Sequence, residues 1–280
     1  MLLELAVGDA YGAGFEYVNS QLIRQFNTLA AYRRHPRHGT RPGEYTDDTQ
    51  MSLAVAEAVV AGDPWTPEAL AERFVNAFKR DPREGYAQGF HTFLTRIRDS
   101  RQFLELIRPT SEKSGAAMRA GPIGIFPTIA EVTERATVQA RLTHDTPDGI
   151  HAAVAAALMT HYCLYGLGPR EQIGQFLEQL VPGAWTDPWR GKVGSKGWMS
   201  VQAAVTALAR NERMSALLLD CINFGGDVDT VATIALAAGS CSAEVQQDLP
   251  QHLLDSLERG PYGYDYIVEL DRQLMALKQG

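Results

Sequence analysis

The chain has 280 residues, 45% hydrophobic and 21% charged, with a formal net charge of −7. This is an ordinary globular composition, and its acidic balance sets aside non-specific binding to nucleic acid or to an anionic membrane surface. No apolar run reaches the roughly 18 residues of a membrane span, and the N-terminus lacks the basic start of a secretory signal. The three cysteines, Cys163, Cys221 and Cys241, sit in apolar runs without a CxxC or Cys/His pairing, as expected in a reducing cytoplasmic setting.

Taken in order, residues 2–7 read as the end of a short apolar helix. Gly8-Asp9-Ala10-Tyr11-Gly12-Ala13-Gly14-Phe15-Glu16 follows, with three glycines and two acids, and reads as a turn or loop where backbone comes close to something. Residues 21–31 fit a helix and 33–44 a loop. Thr46-Asp47-Asp48-Thr49 then opens an apolar helix over 51–61, with Thr46 or Asp47 as its cap. Leu70, Phe74, Val75 and Phe78 share one face of a helix over 67–80, and Phe90, Phe93, Leu94 and Ile97 share another. Residues 110–117 are small and polar, and 118–129 are rich in Gly and Pro.

A helix is predicted over 131–141. His144-Asp145-Thr146-Pro147-Asp148 opens the apolar helix 150–165, with Thr146 as N-cap and Pro147 at the first helical position. Ile173, Phe176, Leu177 and Leu180 mark a further helix. The stretch 182–199 is loop and carries Trp185, Trp189 and Trp198, which packing within the loop explains. Helices follow at 200–210 and 213–222. Phe224-Gly225-Gly226-Asp227-Val228-Asp229-Thr230 interrupts the pattern before an apolar helix over 231–241, and helices at 248–258 and 264–277 close the chain. No stretch alternates at period two. The expectation is an all-α single domain over residues 1–280, built from roughly a dozen helices.

The helices 51–61, 150–165 and 231–241 are apolar on nearly every face and rich in Ala, so they belong at the centre of a bundle. Each follows an acid-bearing turn. If those ends lie on one side, the chemistry gathers there. Thr46-Asp47-Asp48 and Asp227-Val228-Asp229-Thr230 each supply two carboxylates and a hydroxyl. As isolated segments they are acidic helix caps favoured by the helix dipole. As two halves of one site, their carboxylates would repel and raise one another's pKa values, a conflict that hard divalent cations remove. Ser114-Gly115-Ala116-Ala117 is either an ordinary helix start or a backbone cradle for a pyrophosphate. His144 alone reads as a loop or capping histidine. His35, His38, His91, His151, His161 and His252 read as structural.

Five blocks occur in this order: GDAYGAGFE (8–16), TDDTQM (46–51), SGAAMR (114–119), TH (143–144) and GGDVDT (225–230). With them the chain resembles the ADP-ribosylglycohydrolases, the ADP-ribosyl-acceptor hydrolase family that includes the dinitrogenase-reductase-activating glycohydrolases. TDDTQM and GGDVDT are the specific pair. The resemblance implies a compact orthogonal helical bundle with a binuclear Mg2+ (or Mn2+) centre. Thr46, Asp47, Asp48, Asp227, Asp229 and Thr230 would be its ligands, with Glu16 a further ligand or a gate. ADP-ribose would lie across Ser114, Gly115, Ala116, Ala117 and Met118, with His144 reaching its phosphates or ribose. Two departures are Gly14, where the family has Pro, and Ser114, where many members have Asn. Members also carry a longer first helix, so a start further upstream is expected.

The resemblance thus implies a cytoplasmic, metal-dependent hydrolase that cuts the glycosidic bond at C1″ of ADP-ribose and releases ADP-ribose. Its partner would be an ADP-ribosylated side chain or small conjugate, with nucleic acid only as an ADP-ribosylated substrate. Asp47, Asp48, Asp229 and Glu16 are the catalytic candidates. Two other classes are consistent with the residues: a metal-dependent nucleotide phosphoesterase, and a non-catalytic binding or structural protein on the same scaffold.

Overall fold

The computed structural model describes residues 1–278, which hold fifteen α-helices and no strand. The first half comprises α1 (Leu2–Ala13), α2 (Ser20–Phe26), α3 (Asp47–Ala61), α4 (Pro67–Arg80), α5 (Gln88–Arg96), α6 (Ser100–Leu106), α7 (Gly115–Met118) and α8 (Ile129–Arg141). The second comprises α9 (Pro147–Tyr165), α10 (Ile173–Glu178), α11 (Gly197–Arg210), α12 (Met214–Asn223), α13 (Val228–Gly239), α14 (Gln251–Asp255) and α15 (Tyr264–Met275). The expected all-α bundle is therefore what the chain forms. Its buried apolar side chains make one contiguous cluster that runs from Met1 to Leu274.

The three apolar, Ala-rich helices are central, as their sequences require. Every residue of α13 is buried, as are nearly all of α3 and all of α9 from Ala152 to Leu164. With small side chains on all faces, these helices approach their neighbours closely from several directions. Thr146 caps α9 by accepting from the Gly149 N–H at 3.1 Å, and Pro147 occupies the first turn. Gly62 and Gly166 end α3 and α9 in the left-handed conformation that favours glycine.

One expectation is corrected at the start of the chain. Gly8 to Ala13 form no loop but continue α1 without a break. Gly8 and Gly12 lie one helical turn apart on the face that meets α13. A Cβ at Gly8 would stand 2.9 Å from the Ala232 carbonyl oxygen, and one at Gly12 only 2.4 Å from the Asp229 Cα. The glycines do let backbone come close to something, and that something is another helix.

Smaller differences have local causes. The helix expected over 21–31 stops at Phe26, where the Asn27 side-chain amide donates to Leu219 O at 2.8 Å and to Asn223 Oδ1 at 3.0 Å. The short α6 arises because Asp99 caps it, accepting from the Gln102 N–H at 2.8 Å. The loop expected over 182–199 ends at residue 196, where α11 begins: Trp185 is buried with its indole N–H on Val181 O, and the Trp189 ring of the loop meets the Trp198 ring of α11 edge to face.

Candidate active site

The N-terminus of α3 is built on a residue of α1. Asp9 is fully buried, and its carboxylate accepts four hydrogen bonds: Thr46 N–H (2.9 Å), Thr46 Oγ1 (2.8 Å), Thr49 N–H (3.0 Å) and Thr49 Oγ1 (2.6 Å). Backbone N–H groups at a helix start have no partner within the helix, and Asp9 supplies it. Thr46 also caps locally, accepting from the Asp48 N–H at 3.4 Å. Two of the four oxygen-bearing side chains in Thr46-Asp47-Asp48-Thr49 are thus turned onto Asp9. Asp47 and Asp48 are left facing a cavity. Burial pushes the Asp9 pKa upward, while the bonds from Thr49 and Thr46 act against the rise.

The Asp227 side of the site is held by a turn. Gly226 has φ of +93°, and a Cβ there would fall 1.9 Å from Val193 O, so the position requires glycine. Val193 N–H donates to Gly225 O at 2.8 Å, and Asp227 N–H donates to Val193 O at 3.1 Å. The Gly226 carbonyl accepts the Tyr17 N–H at 2.8 Å. That bond ties the Glu16-Tyr17 segment to the turn and sets Glu16 beside Asp227 and Asp229. One oxygen from each of Glu16, Asp227 and Asp229 lies within 4.8 Å of the others. α13 then starts at Val228 with Asp229 in its first turn, pressed against Gly12.

The electrostatics follow from burial and crowding. Asp47, Asp48 and Asp229 are each pushed well above the ordinary carboxylate range, first by burial. Neighbouring charges add to it: Asp9 and Glu16 around Asp47, Asp47 and Asp9 around Asp48, and Glu16 and Asp227 around Asp229. Asp227 is also raised by burial, against hydrogen bonding in which Ser114 is the largest part. Glu16 is pushed up to about 7 by burial, then by Asp227 and Asp9, while Arg37 acts in the other direction. Asp48 Oδ2 and Asp229 Oδ1 are buried with no hydrogen-bond partner among the described residues. A carboxylate oxygen that is buried and lacks a donor is costly unless a cation meets it. The donor set, carboxylates with threonine hydroxyls at its edges, fits a hard divalent cation.

These groups line one wall of a cavity of roughly 600 Å³, a volume suited to a small-molecule ligand. Ser114, Gly115, Met118, Thr143 and His144 line the same cavity, as do the aromatic rings of Phe90 and Phe93. The cavity thus receives Glu16, Asp47, Asp48, Asp227, Asp229, Thr230, Ser114, Gly115, Met118 and His144 from the sequence candidates. The starts of α3 and α13 bring their acids to this cavity, whereas the turn before α9 reaches it with Thr143 and His144 and not with its acids, Asp145 and Asp148. Thr46 sits behind, bonded to Asp9. Ala116 and Ala117, within α7, are buried and are not among the cavity-lining residues. Gly85, with φ of +103°, lets the 81–87 loop pass directly over Asp47, because a Cβ there would fall 2.2 Å from Asp47 Oδ1.

His144 is buried, and burial followed by the charge of Arg119 lowers its pKa to about 3. Its Nδ1 lies 2.6 Å from Thr143 Oγ1. Among the structural histidines, His161 Nδ1 meets Gly124 O and His252 Nε2 meets Leu29 O. His38 comes within 3.7 Å of a Glu16 oxygen.

Asp9, Arg119 and Thr143 are the residues whose part was not read from the sequence. A lone Asp inside an otherwise apolar helix was the available signal for Asp9, and the glycines on either side of it disguised that helix as a loop.

Residues 1–280 match the ADP-ribosylglycohydrolase family. The chain is 28% identical over 308 residues to ADP-ribosylhydrolase ARH3 of Xenopus tropicalis, covering 88% of this chain and 87% of the other. It is 27% identical over 275 residues to ADP-ribosyl-[dinitrogen reductase] glycohydrolase of Rhodospirillum rubrum, covering 91% and 88%. A solved structure of an ADP-ribosylglycohydrolase-related protein complex superposes with a TM-score of 0.76 over 99% of this chain and 96% of that one, at 21% identity. That last likeness is one of fold. Among the described residues no helix is long and apolar enough to cross a membrane.

Proposed function

The chain belongs to the ADP-ribosylglycohydrolase family, and from that premise we propose that it hydrolyses the glycosidic bond at C1″ of ADP-ribose in an ADP-ribosylated side chain or other conjugate, with the help of two divalent cations of the Mg2+ or Mn2+ kind. The observation that carries the reading is the pair of buried, unpartnered oxygens, Asp48 Oδ2 and Asp229 Oδ1, on the wall of the cavity. Asp47, Asp48, Asp227, Asp229 and Glu16, with the hydroxyl of Thr230, would hold the cations, and Thr46, bonded to Asp9, would support Asp47 and Asp48 from behind. When bound, divalent cations supply Lewis acidity that orients oxygen ligands and acidifies water.

The chain's own residues do the rest. Asp9 fixes the first turn of α3, so Asp47 and Asp48 enter the cavity from a preorganised backbone. The Gly225-Gly226 turn and the Gly12 contact do the same for Asp227 and Asp229. A carboxylate among Asp47, Asp48 and Asp229 takes the proton of the attacking water. Negative charge gathered on this wall suits an oxocarbenium-like transition state, by analogy with glycoside hydrolysis. Elsewhere along the cavity, the α7 segment from Ser114 to Met118 and His144 would hold the pyrophosphate and ribose, with Phe90 and Phe93 offering apolar faces to a base.

The test is a panel of defined ADP-ribosylated substrates, on arginine, serine, a nucleic-acid base and small acceptors, incubated with Mg2+ or Mn2+. Free ADP-ribose, lost in chelator, is the expected product. AMP or inorganic phosphate would instead identify a phosphoesterase, and no turnover of any member would leave a binding protein.

A further inference from the structure

Arg119 is 1% exposed, and its three hydrogen bonds among the described residues all go to neutral oxygens. Nε donates to Gln139 Oε1 at 2.7 Å. Nη2 donates to Gln139 O at 3.2 Å and to Thr143 Oγ1 at 2.8 Å. The Phe74 ring lies against the guanidinium, 4.5 Å from its carbon. Gln139 is itself oriented, because its Nε2 donates to Ala116 O at 2.9 Å and so turns Oε1 toward Arg119. The guanidinium is therefore fixed in place by an apolar ring and an aligned amide.

The direction of the next bond follows. A guanidinium can only donate, so the Thr143 oxygen accepts from Arg119. The same oxygen lies 2.6 Å from His144 Nδ1. If Nδ1 carried the proton, the Thr143 hydroxyl hydrogen would be buried without an acceptor, and a second donor would point at an oxygen already facing a cation. If the hydroxyl donates to Nδ1, every group is satisfied. The imidazole proton then sits on Nε2. That edge of the ring faces Gly115, where a Cβ would come within 3.1 Å of Cε1 and 3.4 Å of Nε2, and it borders the cavity.

We propose that Arg119 and Thr143 lock His144 as the neutral Nε2–H tautomer, so that it offers the cavity one hydrogen-bond donor aimed at an oxygen of the bound substrate. Arg119 is a positioning residue that acts through Thr143, and His144 touches the ligand. The depressed pKa of His144 agrees, since an imidazolium would turn a second N–H onto the hydroxyl. His144 therefore binds as a permanent donor and takes no part in moving the reaction's protons. That the oxygen belongs to ADP-ribose rests on the function proposed above. The tautomer itself does not.

Long-range 1H–15N spectra of the ligand-free, 15N-labelled protein read the tautomer, with the His144 signals identified by their loss in His144→Gln. The expected spectrum shows Nε2 protonated and Nδ1 unprotonated, in wild type and in Thr143→Ser alike. Thr143→Val keeps the shape and removes the hydroxyl. It should shift the ring toward Nδ1–H and weaken ADP-ribose binding about tenfold by calorimetry, the loss of one buried hydrogen bond. A wild-type His144 protonated on Nδ1, or a Thr143→Val protein with unchanged spectrum and affinity, overturns the proposal. If wild type fails to bind ADP-ribose, the functional reading falls, and the wild-type spectrum still decides the tautomer.

Discussion

Asp9 Oδ2 accepts twice from Thr49, from its backbone N–H at 3.0 Å and from its hydroxyl at 2.6 Å. A carboxylate from the first helix thus caps the third, in a place where solvent cannot substitute for it. Asp9→Ala leaves two N–H groups and two hydroxyls buried without their acceptor and should cost more than about 3 kcal/mol of stability. Asp9→Asn keeps one oxygen where three donors converge and turns its NH2 toward Thr46, whose hydroxyl can rotate to accept. Its cost should be on the order of 1–2 kcal/mol. Urea unfolding of the two variants measures the difference, and equal losses would argue against the four-donor account.

Asp48 and Asp229 should behave in the opposite way. Each has a buried oxygen without a donor and is crowded by other carboxylates. Asp48→Asn and Asp229→Asn relieve that repulsion, so the metal-free variants should melt no lower than wild type, and up to a few degrees higher, on the scale of about 1 kcal/mol. Both should lose the thermal stabilisation that Mg2+ or Mn2+ confers on wild type, along with turnover. A variant with full metal-dependent stabilisation would remove that residue from the ligand set.

The same crowding sets a pH dependence for the metal-free protein. Glu16 is raised from 4.5 to about 7, and Asp47, Asp48 and Asp229 are raised further above their ordinary value. A carboxyl group whose folded pKa is raised contributes stability below its unfolded pKa and loses it as pH rises through the folded pKa. In chelator, Tm should therefore fall as pH rises from about 5 to about 8. With Mg2+ or Mn2+ present the fall should shrink or reverse, because cation binding favours the ionised forms. Differential scanning fluorimetry in both conditions tests this, and a Tm flat with pH in chelator would contradict it.

Gly12 offers a steric test. Any Cβ there meets the Asp229 backbone at 2.4 Å, and a backbone atom cannot rotate aside. Gly12→Ala should destabilise by about 1–3 kcal/mol through overpacking. By moving the start of α13 it should also weaken Mg2+ or Mn2+ binding, although Gly12 is no ligand. Gly62→Ala is the control: it lies in open space and far from the site, so it should show the strain of φ +65° in stability alone. Intact cation affinity in a folded Gly12→Ala protein would mean that α13 is not positioned by this contact.

Much of the architecture was legible because α3, α9 and α13 are apolar all round and begin with distinctive polar turns. The two acidic segments, one at Thr46-Asp47-Asp48 and one at Asp227-Val228-Asp229-Thr230, reach a single cavity wall as their chemistry suggested. What could not be read was direction. Thr46 and Thr49 stand in the sequence beside the acids as equal candidate ligands, yet both hydroxyls are turned to Asp9. Phe90 and Phe93 follow a core-facing periodicity and instead border the cavity. Gly8 and Gly12 carried a helix-contact spacing of four residues, but a loop and a close helix crossing call for the same residue type. Arg119 and Thr143 close or open two of the recognised blocks, but their part could not be read there, since it lies in a hydrogen-bond order that only the packed structure fixes.

The crossing of α1 on α13 brings distant parts of the chain together at the site. Glu16, Asp47 and Asp48 come from the first quarter of the chain and Asp227 and Asp229 from the last, so neither part makes the site without the other. Closing so long a stretch of chain is entropically the late part of assembly. Uptake of a divalent cation should therefore coincide with completion of the fold, making cation affinity a reporter of native topology: a nicked, truncated or misassembled chain would stay helical in its local segments and be blind to Mg2+.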